Sequence, residues 1–111
     1  MQVQALTEKL DVKVIAGKQG LANKITGGYA SDLLSDVMGH AQAGQLWVTL
    51  QTHKNVIAVA SLKDLAAVLI VKGQDIAPDA LQQANEEGIP VLQTPLPAFE
   101  AIGKVYGLLQ K

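Results

Sequence analysis

The chain has 111 residues, 49% of them hydrophobic, which is ample for one buried core and predicts a single domain over residues 1–111. Nine Lys/Arg stand against ten Asp/Glu, so there is no chain-wide positive field to hold nucleic acid or an anionic membrane. The lack of cysteine removes disulfides, thiolate nucleophiles, iron–sulfur clusters and the usual structural zinc sites, and it suits a reducing cytoplasm.

The opening segment, MQVQALTEKLD, lacks the basic start and continuous apolar run of a signal peptide. Val3, Leu6 and Leu10 fall at i, i+3 and i+7 and predict a short amphipathic helix that ends near Asp11. Val12, Val14 and Ile15 are β-branched, as a strand prefers, and AGKQGLAN then supplies a loop. Ile25 to Tyr29 reads as a second short strand broken by Gly27 and Gly28. Leu33, Leu34, Val37, Met38 and Ala41 form a wide apolar stripe, so a helix is expected from about Ser31, closing by Gly39 or Gly44.

LWVTL, residues 46 to 50, is strongly β-prone. VIAVAS reads as either a strand or a buried helix on periodicity, and the spacing to the next strand favours a helix over 55 to 62, because a parallel crossover needs a dozen or more residues. AAVLIV, residues 66 to 71, reads as a central strand buried on both faces. The longest apolar run, Leu65 to Val71, is far too short to cross a bilayer. A helix follows with Pro78 in its first turn and Gly88 just past its end. Ile89 to Leu92 gives another strand, and TPLP opens a last helix along Phe99, Ile102, Tyr106 and Leu109. The expected fold is a three-layer α/β/α sandwich on a mostly parallel sheet of about five strands, to which the first half offers an antiparallel member.

No Walker-type loop occurs, and the Gly27-Gly28 pair lacks the spacing that brings backbone to a pyrophosphate. The pair has two readings. Its exposed N–H groups and the next helix N-terminus would receive an anion, or one glycine takes a positive φ or lets chain approach chain at a tight corner while Ser31 caps the helix. Asp32 and Asp36 favour the second, since carboxylates already complement that helix end and repel phosphate.

The polar cluster Thr49, Gln51, Thr52, His53 and Lys54 falls where ligands gather, outside the carboxyl ends of parallel strands. Its plain alternative is a solvated turn with Thr52 as helix cap. His40 and His53 belong to no metal-binding spacing, so no metal or other cofactor is expected. Ser31, His53 and Asp64 could be drawn as a hydrolytic triad, but the nucleophile elbow is missing. Glu86 and Glu87, at a helix end, read as solvated charges. Gly103 and Gly107 share the last helix with Phe99, Ile102 and Tyr106, which gives either close packing on the sheet or the approach of a second copy.

In order, ITGGYASDLLSDVM, LWVTLQTH, LKDLAAVLIVKG and EEGIPVLQTPLPAFEAIG resemble the DRTGG domain family over nearly the whole chain, and its small standalone members in particular. Thr26, Gly27 and Gly28 match the motif that names the family, whereas Asn23 and Lys24 stand where Asp and Arg are expected. Related domains accompany CBS pairs in regulated pyrophosphatases and share a fold with the N-terminal domain of HPr kinase/phosphorylase. The resemblance implies a regulatory or dimerising module without catalysis of its own, acting through a kinase or metabolic enzyme. On this reading the chain is not an enzyme. It is a cytoplasmic homodimer that senses a small-molecule ligand, a nucleotide or other phosphorylated metabolite among the candidates, or serves purely as an interaction module. Gly27, Gly28, Thr49, Gln51, Thr52, His53 and Lys54 are the expected ligand contacts, and Phe99, Gly103, Tyr106 and Gly107 the expected dimer face.

Overall fold

Ala67, Val68, Leu69 and Ile70 are all buried, as expected of a strand covered on both sides, and they form the middle of a five-stranded sheet. In the computed structural model, which describes residues 1–110, the elements run α1 (Val3–Lys9), β1 (Lys13–Ala16), a 3-10 turn (Lys18–Gly20), β2 (Gly27–Ala30), α2 (Leu34–His40), β3 (Gln45–Thr49), α3 (Asn55–Leu62), β4 (Ala67–Ile70), α4 (Pro78–Glu87), β5 (Val91–Gln93) and α5 (Ala98–Leu109). The strand order is β1-β5-β4-β3-β2. Neighbours from β2 to β5 are parallel, and β1 joins β5 antiparallel. The sandwich and its mixed sheet are those the sequence predicts.

Alternation along the strands feeds two cores. Trp47, Val68, Ile70 and Val91 point to one face, where Val37 of α2, Val56 and Ile57 of α3, and Ala80 and Ala84 of α4 close over them. Leu46, Leu69 and Leu92 point to the other, under Val3 and Leu6 of α1 and Ala101 and Val105 of α5. Three helices thus cover one face and two the other. The ambiguous segment 56–61 is helical, and it is buried at Val56, Ile57, Val59 and Ala60. No helix among the described residues is long and apolar enough to cross a membrane.

Several local expectations are corrected. Gly27 and Gly28 do not break a strand or form a corner: they lie within β2, paired with Gln45 and Leu46, and neither has positive φ. A side chain at either would meet only ordinary contacts, so the pair is not there for steric relief. Packing demands glycine instead at positions such as Gly17, at φ +69, where an added Cβ would sit 1.9 Å from the Ile89 carbonyl oxygen.

Helix α2 begins at Leu34 rather than Ser31, because the residues before it bond elsewhere. Ser31 Oγ accepts from the Leu33 N–H, the Ser31 carbonyl accepts from Trp47 Nε1, and Asp32 reaches across to β3. Thr52 is not the cap of α3: His53 Nδ1 accepts from the Asn55 N–H, while the Thr52 carbonyl accepts from Ala77. On α5 the buried stripe is Ala101 and Val105, whereas Phe99 is 89% and Tyr106 65% exposed. Gly103 and Gly107 have open space around them, so they do not serve close packing on the sheet. The helix seats itself through its smaller side chains, leaving a second apolar stripe facing outward.

Candidate functional site

Parallel pairing brings the carboxyl ends of β2, β3 and β4 to one rim, with Ala30 beside Val48 and Thr49 beside Ile70. The polar residues there are joined by a carboxylate that sequence reasoning had assigned to a helix. Asp32 Oδ1 accepts from Thr49 Oγ1 at 2.8 Å and from the Leu50 N–H at 2.7 Å. Gln51 Nε2 donates to the Asp32 carbonyl at 2.9 Å, and the Gln51 N–H donates to Thr49 Oγ1 at 3.1 Å. Thr49 is 2% exposed, so its hydroxyl has no route to water and depends on these partners.

Of the expected contacts, Thr49 and Gln51 therefore meet in a closed hydrogen-bond knot. Thr52, His53 and Lys54 lead away from it into the start of α3, with His53 and Lys54 exposed. The sequence signal for Asp32 is an acid two residues past a strand end, where side chains reach a neighbouring strand as readily as they cap a helix. A depression of about 200 Å³ opens beside the knot between Ala30, Val48, Val71, Ala98 and Ile102, and Asp32 on its rim sets a negative charge against any phosphate there.

Gly27 and Gly28 lie elsewhere, in a trough of about 230 Å³ between the edge strand β2 and α5. Gly28 and Ala30 are exposed on its floor because β2 carries almost no side chain on this face, with Val48 beside them. Ile102, Val105, Tyr106 and Leu109 form the wall. Among the described residues, no charged side chain lines it. Such a surface suits a neutral, apolar or planar group and offers nothing to neutralise a phosphate.

On the opposite face of β2 the Tyr29 hydroxyl donates to Asp36 Oδ2 at 2.8 Å, and His40 Nδ1 lies 3.2 Å from Asp36 Oδ1. The Tyr29 hydroxyl above all, then Ser31 and the nearby His40, hold the Asp36 carboxyl below the usual carboxylate range, and the same bond to Asp36 raises the Tyr29 phenol. Among the described residues no three His, Cys, Asp or Glu side chains converge as a metal site. Ser31, His53 and Asp64 do not form a triad: the eight residues of α3, about 12 Å at 1.5 Å each, separate His53 from Asp64.

Comparison with known proteins agrees with this architecture. No curated protein matches the chain. Among solved structures, the CBS and DRTGG domains of the regulatory region of Clostridium perfringens pyrophosphatase, complexed with the activator diadenosine tetraphosphate, superpose with a TM-score of 0.75 at 10% identity. The match covers 95% of this chain and 46% of that one, so this chain spans about half of it, and the likeness is one of fold. The model of the DRTGG domain matches residues 5–108, and the chain belongs to the DRTGG domain family.

Proposed function

We propose that this chain is a non-catalytic regulatory domain of the cytoplasm that forms a homodimer, responds to a small ligand and acts through a partner such as a kinase or metabolic enzyme. The observation that carries the reading is the surface formed by β2 and α5, uncharged among the described residues of the trough, where the exposed Tyr106 lines a largely apolar trough and Phe99 stands exposed on the same helix. The fold shared with a regulatory region complexed with an activating dinucleotide supports a ligand-linked role. The trough favours the uncharged part of such a ligand, for instance a planar base, with Gly27 and Gly28 giving backbone access. Thr49, Gln51, Thr52, His53 and Lys54 remain the candidate polar contacts at the far rim.

A panel of nucleotides, nucleosides and small metabolites read by thermal shift tests the sensing role. A true ligand at 100 times its dissociation constant stabilises by about 2.7 kcal/mol. If no compound moves the melting temperature, the sensing role is refuted. A second reading, a pure interaction module, is favoured by one feature: the Thr49 hydroxyl, the most enclosed polar group at the rim, is already engaged by Asp32. A flat ligand panel together with a specific protein partner in pull-downs would select it.

A further inference from the structure

Strand β2 is an open edge, and apart from its four-residue length it lacks the devices that usually protect one. The sequence Gly27-Gly28-Tyr29-Ala30 has no charge, no proline and no bulge. The other edge, β1, begins with Lys13 and carries a register irregularity between Val14 and Ala16. Just before β2, the Met1 carbonyl accepts from the Ile25 N–H and Gln2 bridges Lys24 antiparallel, so a short ladder starts on this side of the chain and stops where β2 begins.

Helix α5 packs over β2 and β3. Its outer stripe, Phe99, Ile102, Gly103 and Tyr106, repeats at i, i+3, i+4 and i+7, with Ile102 and Tyr106 lining the trough beside the edge, while Glu100 and Lys104 fall outside the stripe. Gly107 lies off that stripe as well.

We infer that two copies of this chain join antiparallel through β2 across a two-fold axis, making one ten-stranded sheet with the two α5 helices packed side by side above the junction. This rests on the proposed homodimer and specifies its interface. Three features converge on a second copy as the occupant. Strands lie about 4.8 Å apart, so the β2/β3 boundary under α5 falls about 5 Å from the axis, and the two α5 helices come about 10 Å apart, the spacing of packed helices. At 89% and 65% exposure, Phe99 and Tyr106 of two copies offer roughly 600 Å² of the about 1,600 Å² in a standard interface, before backbone and the trough are added. The stripe is uncharged, so like charges do not meet across the axis.

Side-chain parity fixes the register. Residues directly opposite must share a face of the sheet, and Gly28 and Ala30 both face α5, so the axis passes through a residue and not between two. Centring on Gly28 would carry the second copy onto Ile25, whose N–H Met1 already holds. Centring on Ala30 would set Gly28 opposite Asp32, which lies past the end of β2 and is bonded to Thr49 and Leu50, so the axis passes at Tyr29, with Gly28 opposite Ala30 of the second copy.

The chain has no cysteine, so introduced thiols report without background. Gly28→Cys and Ala30→Cys are prepared separately, since both positions are exposed and accept a side chain. Circular dichroism verifies the fold, and wild-type mass is measured by analytical ultracentrifugation. The expected results are a wild-type dimer of twice 11.7 kDa and a disulfide-linked heterodimer on mild oxidation of the mixed variants, at least tenfold more abundant than from either variant alone. Gly28→Lys is expected to weaken dimerisation at least tenfold while the protein stays folded. A wild-type monomer at 100-fold varied concentration overturns both this interface and the homodimer. A dimer without the mixed cross-link, or one that cross-links only through Phe99→Cys, overturns this interface and leaves the homodimer standing.

Discussion

Removing the Asp32 carboxylate tests whether the rim knot holds the site together. In Asp32→Ala, Thr49 Oγ1 and the Leu50 N–H both lose an acceptor at 2.8 and 2.7 Å. Asp32 itself is exposed, so solvent screening brings each bond below the range for charged acceptors, to about 1 kcal/mol. The Thr49 hydroxyl, enclosed in a residue 2% exposed, gains no water in exchange, which adds about 1 kcal/mol for an unpaired buried donor. The expected loss is about 2–3 kcal/mol, or a melting temperature lower by about 8–15 °C for a domain of this size. Urea unfolding followed by the fluorescence of Trp47, the single tryptophan, measures it, with an unchanged m-value. Asp32→Asn keeps an accepting oxygen and is expected to lose only about 1 kcal/mol. Adding Thr49→Val to Asp32→Ala is expected to cost less than the sum of the two single changes, because both ends of the Thr49–Asp32 bond are then removed and only the 3.1 Å acceptor of the Gln51 N–H is newly lost. Equal damage from Asn and Ala, or an Ala variant within about 0.5 kcal/mol of wild type, would refute the role given to this carboxylate.

Other substitutions separate positions that look alike in sequence. Gly17→Ala places a Cβ 1.9 Å from the Ile89 carbonyl oxygen at φ +69 and is expected to destabilise by about 3 kcal/mol, whereas Gly107→Ala, in open helix, is expected to stabilise by about 0.8–1 kcal/mol; calorimetry of both gives the comparison. Trp47→Ala is expected to cost about 3–5 kcal/mol in denaturation followed by circular dichroism, since Trp47 is fully buried and also bonds the Ser31 carbonyl. Asp36 titrates below its unfolded value of about 4, so its contribution is present above that pH and is lost as pH falls through the depressed value. The raised Tyr29 phenol acts at the other end, its contribution present below about pH 10 and lost as pH climbs through the raised value. Tyr29→Phe is expected to flatten the melting-temperature profile at both extremes, and an unchanged acid limb would exclude the Tyr29–Asp36 bond as its source.

The sequence by itself determined the order and type of the main elements. β4 was legible because a strand covered on both faces must be apolar without interruption, and α4 because Pro78 and Gly88 mark its ends in ways that backbone geometry enforces. The length from Leu50 to Ala66 admitted a crossover helix, which settled a segment whose own pattern was ambiguous.

Tertiary structure alone decided the site. Ser31 and Asp32 resemble a helix start to any local rule, yet β3 lies close enough to take the carboxylate, and α2 begins later as a result. The amphipathic pattern of α5 held two apolar stripes, and only contact with the sheet selected Ala101 and Val105 as the buried one. Gly27-Gly28 reads locally as a tight strand-to-helix corner, but strand pairing makes it the bare floor of an edge. Which edge stays open, and which helix stripe stands beside it, depends on strand order, and local propensity carries no information about that order.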